Sequence, residues 1–415
     1  MNHFPGCRTL FRLSFLTILV VLLASCGSDV VEVESSRIRT YHYYATGNPE
    51  LPVNVSSPTE PSLVLMGGND DVDSAYRWMI QRAGIRPGTG GRFVIIRASG
   101  ADGYNDYLYY NSDQYDTGVT PPTEGWVGGA ALGLTSVESI VIPDRASAND
   151  PAIVAAVARA QVVFIAGGDQ SNYIKYWKDT ALHRTLDTLI ARNVPVGGTS
   201  AGLAILGQYD YSALYDSVTS AEAMSNPYNA NLTLDPIDAT TNQLLSYGGL
   251  ITPTSLANVI TDSHVAPMSG INDSNDGRDR MGRFLTFVAR LIAPQTNVAG
   301  GCPGGAVTHT QARGLAVAPR TALLLEGDGV RSPFIGKRVT NPSNTYDSAV
   351  YFASATQAPT VCAANQPLTF RQVKVQKINA DTDSFNLTDW IGQGGSTYYL
   401  DIEAGQLSSA SNQIY

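Results

Sequence analysis

Residues 195–206 read PVGGTSAGLAIL. A short apolar run meets small residues, then Ser200, then Ala201-Gly202 and more apolar residues. The stretch predicts a strand that turns sharply into a helix with a lone hydroxyl at the corner. G-x-S-x-G is the nucleophile-elbow pattern, and Gly198 to Gly202 fits it at every position. The flanking glycines matter because a serine in so tight a turn leaves no room for neighbouring side chains. The amide that follows, on Ala201, then faces the carbonyl oxygen under attack.

Outward from this corner, strand and helix signals alternate. SLVLM (62–66), RFVIIRA (92–98), SIVI (139–142), VVFIA (162–166) and VPVG (194–197) read as short buried strands. Between them, residues 71–84, 150–160 and 181–193 carry apolar residues at helical spacing, and Pro151 sits early in the second of these. Continuous apolar strands between helices predict an α/β fold with a mostly parallel sheet covered on both faces. Sites in such folds gather at the carboxyl ends of the strands. Three glycine-rich ends stand out there: Gly67-Gly68, Gly167-Gly168 and Gly197-Gly198. Upstream, Tyr41, Tyr43 and Tyr44 with several prolines predict a tether and a surface-packed arm over residues 26–61. A catalytic domain is expected over 62–300. Residues 301–415 alternate apolar and polar positions and predict a β-rich C-terminal portion, either extending the main sheet or forming a small unit of its own. In it, GLAVAPRTALLLEGDG (314–329) reads as two strands joined at a turn.

The chain begins with Arg8 and Arg12 before an apolar run too short to span a bilayer, the pattern of a secretory signal over residues 1–25. LASC (23–26) resembles a bacterial lipoprotein box, which makes Cys26 the lipidation site. By the same resemblance, Gly27 after the cysteine favours the outer membrane or cell surface. A lipid anchor would be the chain's contact with the membrane. Export permits disulfides. With Cys7 in the signal and Cys26 lipidated, Cys302 and Cys362 remain as the economical pair. No CxxC or HxxxH spacing occurs, so neither a metal nor another cofactor is expected. The net charge of −9 argues against nucleic acid as a partner and leaves open a substrate rich in positive groups.

A serine nucleophile needs a base. His264 follows the apolar run ANVITDS (257–263) downstream of Ser200 and is the first choice; His309 is the fallback. His42 lies in the arm and His183 on a helix whose apolar face is elsewhere. Asp210, Asp216, Glu222 and Asp262 are candidates to orient the imidazole, and spacing does not choose among them.

FIAGGDQSNYI (164–174), GGTSAGLAILG (197–207), VTSAEAMSNPY (218–228) and ITDSH (260–264) with RDRMGRF (278–284) occur in this order. Together they resemble the cyanophycinase branch of the serine peptidases related to peptidase E, over roughly residues 62–292. RASGADGYNDY (97–107) resembles the exported members. The resemblance implies a flavodoxin-like sheet of the class I glutamine amidotransferase kind, with serine in place of cysteine. It implies Ser200 as nucleophile, His264 as base and Glu222 as the third member, with the amides of Ala201 and Gly168 holding the oxyanion. It assigns Asp169, Gln170, Arg278, Arg280 and Arg283 to substrate binding. It also implies a homodimer and, as substrate, cyanophycin, a poly-aspartate carrying arginine on each side-chain carboxylate, cut to β-Asp-Arg dipeptides. Aspartyl dipeptides are the alternative substrate, and a peptide- or polymer-binding lipoprotein with altered catalysis is the alternative role. One departure stands out. Arg278 lies fourteen residues after His264, a much longer step than in the family, and Val265 replaces the usual phenylalanine. The added residues include Asp273 and Asp276 and predict a loop at the mouth of the site.

Overall fold

A computed structural model of the chain describes residues 40–112, 122–267, 279–327, 334–346 and 348–415. Cys26, the signal segment, Arg278 and the added loop after His264 lie outside the described residues. The elements run β1 (His42–Gly47), β2 (Ser62–Met66), α1 (Asp73–Arg82), β3 (Arg92–Arg97), α2 (Asn105–Tyr109), α3 (Gly129–Leu132) and β4 (Ser136–Val141). They continue with α4 (Pro151–Ala158), β5 (Val162–Ile165), α5 (Gln170–Trp177), α6 (Ala181–Ala191), β6 (Val196–Thr199), α7 (Ala201–Ala204), β7 (Asp210–Tyr211), α8 (Ser220–Ser225), β8 (Leu234–Asp235), β9 (Val259–Ser263) and α9 (Met281–Leu291). The rest is strand: β10 (Arg313–Val317), β11 (Thr321–Glu326), β12 (Ile335–Thr340), β13 (Val350–Ala355), β14 (Phe370–Ile378), β15 (Ser384–Asn386), β16 (Ile391–Gln393), β17 (Ser396–Glu403) and β18 (Gln406–Ser408).

The large sheet has the order β1-β4-β3-β5-β6-β2-β11-β12-β15-β16. Its middle, β4 to β2, is parallel, and antiparallel strands close both sides. Residues 63–66, 93–96 and 162–165 are buried along their whole length, as expected of strands covered on both faces. Register sets the site. Met66 pairs with Thr199, and Ile165 pairs with Gly198. The carboxyl ends of β2, β5 and β6 are therefore level, which brings Gly67-Gly68, Gly167-Gly168 and Ser200 to one edge.

Helix ends follow local chemistry. Asp150 caps α4 through the Ala152 amide ahead of Pro151 at the first helical position, Asp169 caps α5 through the Ser171 amide, and Thr180 caps α6. Leu182, Leu186 and Leu189 line the buried face of α6, each contributing roughly 1.5–3 kcal/mol by leaving water. The helix α5 begins with polar residues, and its buried positions are Ser171, Tyr173, Ile174 and Trp177.

The C-terminal strands do both things expected of them. β11, β12, β15 and β16 extend the large sheet, while β10, β13, β14, β17 and β18 join β9 in a second, six-stranded sheet. β10 and β11 are thus neighbours in sequence and members of different sheets, not a hairpin. The turn between them, with Arg320 at φ +56°, packs on the end of β2: Gly67 donates to the Thr321 carbonyl and Arg320 to the Gly68 carbonyl. A methyl on Gly67 would run into the Ala318 carbonyl, so the two sheets meet at a backbone-to-backbone contact. Within the arm, residues 42–47 form a strand antiparallel to β4 at the edge of the large sheet. Cys302 and Cys362 form a disulfide, Cα atoms 5.0 Å apart, within the core beneath the second sheet.

Candidate active site

Ser200 sits between β6 and α7 at φ +53° and ψ −113°, a backbone state that non-glycine residues rarely occupy. The glycines around it are used for close approach. A methyl on Gly198 would meet the Gly202 backbone, and one on Gly202 would meet the Ile165 carbonyl. The turn is also pinned by the Ser200 amide, which donates to the Met66 carbonyl at 3.1 Å. Ala201 is the first residue of α7, so its N–H has no intrahelical acceptor.

His264 follows the last residue of β9, in the second sheet. Its Nε2 lies 2.8 Å from the Ser200 hydroxyl. Two features fix the ring. The His264 amide donates to the Gly67 carbonyl at 2.9 Å, and Gly68 leaves the space that the imidazole fills. His264 itself is held at φ +55°. Two strained residues facing each other across two sheets is the arrangement expected where function overrides local preference. His309, the fallback base, is in the turn before β10, and the partner of Ser200 is His264.

The structure does not bring Glu222 to His264. Glu222 is exposed on α8, where its carboxylate accepts from the Thr219 amide at 2.9 Å and the Thr219 hydroxyl at 2.8 Å. Those two bonds hold its carboxyl below the usual range. This is a capping box, and Thr219-Ser-Ala-Glu222 carries its T-x-x-E signature. The sequence therefore held a local explanation of this glutamate.

Asp210 is fully buried and accepts from the Gly207 amide at 3.2 Å. Burial, then the charge of Asp235 across the β7–β8 pair, push its pKa well above the usual carboxylate range. Asp216 is exposed and caps the Ser217 amide. Asp262 is buried and pairs with Arg283 through two bonds of 2.6 and 2.9 Å.

That pair corrects the expectation for Arg283. Its third nitrogen donates to the Val218 carbonyl at 3.2 Å, and its guanidinium lies over the rings of Tyr211 and Phe287. Burial alone would lower its pKa, but the charge and hydrogen bonds of Asp262 together with the nearby Tyr211 outweigh it. Arg283 is a buried structural cation whose fork is already occupied. Arg280 differs. It is half-buried, its Nη1 donates to the Ser263 carbonyl at 2.9 Å, and it lines the same cavity as Ser200.

The cavity has a volume of about 370 Å³. Ser200, Ala201 and Gly168 form one wall; Asp169, Gln170, Lys175, Asp216 and Arg280 bring polar and charged groups around it. Gln170 reaches the Tyr211 carbonyl only at 3.5 Å, a weak bond that a ligand could replace. Asp169 uses one oxygen as the cap of α5. Gly168 adopts φ +152°, and a side chain there would press on the Tyr173 hydroxyl. Sequence reasoning missed Lys175 and Tyr215, which come into the cavity wall from α5 and the loop after β7. No group of potential metal ligands occurs among the described residues.

Comparison with known proteins finds a family similarity over part of this site. Residues 130–234 match the model of Peptidase family S51. No curated protein matches the chain. Solved structures similar to it at low level include two peptidases or peptidase candidates. One is a peptidase from an acI-B1 Actinobacterium, 15% identical, covering 79% of this chain and 97% of its own, with a TM-score of 0.37. The other is a peptidase E candidate from Listeria monocytogenes EGD-e, 16% identical, covering 68% of this chain and 100% of its own, with a TM-score of 0.36. The segment that carries Gly167-Gly168, Gln170 and Ser200 is thus similar to Peptidase family S51, a match that indicates peptidase activity.

Proposed function

We propose that this protein is an exported serine-type peptidase in which Ser200 is the nucleophile and His264 the general base. The observation that carries this reading is the 2.8 Å approach of Nε2 to the hydroxyl of a serine held at positive φ on an elbow. In the proposed reaction the Ser200 proton passes to Nε2 as Oγ bonds to the substrate carbonyl carbon. The developing oxyanion is held by the Ala201 and Gly168 amides. Collapse breaks the C–N bond, and the proton on His264 goes to the leaving amine. Water then repeats the sequence on the acyl-enzyme, with His264 again as base.

For the substrate we propose an aspartyl peptide bearing guanidinium groups, with cyanophycin first. The cavity supports this by carrying both signs of charge. Arg280 brings a positive charge to the cavity wall for a substrate carboxylate, with Arg278 as a second anchor by resemblance. Asp169 and Asp216 offer carboxylates to a substrate arginine. Short aspartyl peptides form a second reading, favoured by a cavity at the small end of ligand sites, about 300–1,000 Å³. Export is supported by the Cys302–Cys362 disulfide, since such bonds persist in oxidising compartments. The test is incubation of the purified protein, and of Ser200→Ala, with cyanophycin and with β-aspartyl dipeptides, followed by mass spectrometry. β-Asp-Arg from the polymer supports the first substrate, and dipeptide cleavage alone supports the second. No turnover of either by the wild-type protein, or equal turnover by Ser200→Ala, overturns the reading.

A further inference from the structure

The strand β9 has a cavity at each end. Asp262 and Ser263 at its carboxyl end line the site described above, and Val259 at its start lines a second cavity of about 370 Å³. At about 3.3 Å per residue the two are roughly 13 Å apart along the strand. Arg313, at the start of β10, is the one charged residue lining the second cavity among the described residues. Its guanidinium lies over the Trp390 ring, 5.1 Å from the centroid. Stacking uses the flat face of the group and leaves its edge, with the N–H donors, to other partners. No hydrogen bond or ion pair of that edge is present among the described residues. Every other arginine there that is not exposed has a carboxylate or carbonyl acceptor, as with Arg77, Arg97, Arg283 and Arg290. Burial lowers the pKa of Arg313, and no neighbouring carboxylate opposes that effect.

The rest of the wall suits an anion on an apolar body. Thr254, Ser255 and Thr388 bring hydroxyls. Thr388 accepts from the Phe334 amide at 3.2 Å, which leaves its own O–H to donate. Phe334 and Trp390 supply aromatic surface. One cation without a lysine or second arginine matches a single negative charge better than a polyphosphate. We propose that this cavity is a second binding site, separate from the Ser200 cavity, for a carboxylate attached to an apolar or aromatic body, with Arg313 as its charge partner.

The carboxylate could be a free acid or a peptide C-terminus, and the probes distinguish them. Binding of benzoate, N-acetylphenylalanine and benzamide to the full chain carrying Ser200→Ala is measured by ligand-observed NMR. Using Ser200→Ala makes the result independent of whether the protein is a peptidase. One or both carboxylates should bind, and benzamide should not. Arg313→Gln should weaken binding at least tenfold, while Arg280→Gln at the other cavity should leave it unchanged. A crystal soaked in 4-bromobenzoate, which needs no variant, should place bromine beside Arg313 and Trp390. Absence of binding, equal binding of benzamide, full binding by a folded Arg313→Gln, or bromine confined to the Ser200 cavity overturns the proposal.

Discussion

Gly68→Ala tests how His264 is held. Gly68 lies at φ +101°, and a methyl built on it falls well under 3.0 Å from both Nε2 and Cε1 of the imidazole. Ordinary contact begins near 3.4 Å, so the ring must retreat by on the order of 1 Å. The His264 backbone cannot follow freely, because its amide is bonded to the Gly67 carbonyl next door. The 2.8 Å bond to Ser200 is what gives way. A misplacement of this size costs about 100-fold in rate. The positive φ adds a stability cost of about 1–3 kcal/mol whatever the ring does. Gly88→Ala separates the two effects, since Gly88 has φ +87° and its methyl would meet nothing within 4 Å. Measured by kcat on the cleaved peptide and by urea unfolding, Gly88→Ala should lose stability with activity intact. Gly68→Ala should lose both. Activity of Gly68→Ala within threefold of the wild-type protein would refute the claim that this glycine seats the base.

Arg283→Met should destabilise the protein by about 3–5 kcal/mol in urea unfolding, because it leaves Asp262 buried without its partner; a loss under about 1 kcal/mol would mean the pair is not structural. Glu222→Gln should keep kcat within about twofold, since its carboxylate serves Thr219; a loss of 100-fold would restore it to the catalytic machinery. Asp71, whose Oδ1 is shut off from solvent, has its pKa raised by burial to about 6 despite the facing hydroxyls of Tyr76, Tyr104 and Thr199. The folded state therefore holds this proton more tightly than the unfolded chain, and stability falls as pH rises from about 4 to about 6, by about 3 kcal/mol, then levels. Comparing urea unfolding of the wild-type protein and Asp71→Asn from pH 4 to 7 should show a smaller fall in the variant; equal falls would contradict the assignment.

The parallel centre of the large sheet was legible because its strands are continuous apolar runs, and the elbow because only small residues fit around Ser200. The histidine that meets Ser200 was legible too, directly after such a run. Other features depend on contacts between distant segments. β1 reads as a polar, tyrosine-rich arm because it is an edge strand, exposed at His42 and Tyr43. β10 and β11 are equally apolar, and nothing local says that they part into different sheets. Glu222 and Arg283 show how a motif can be right in letters and different in use. The first is spent on a helix cap, to which its T-x-x-E spacing already pointed, and the second on a buried carboxylate, a partner that only the folded chain shows.

The most direct test of the Ser200–His264 assignment is labelling with a fluorophosphonate, followed by peptide mapping. The arrangement predicts one adduct, on Ser200 in the peptide that spans Gly198 to Gly202, and its loss in His264→Ala with the fold intact. An adduct on another residue, or labelling of Ser200 that is unchanged without His264, would contradict it.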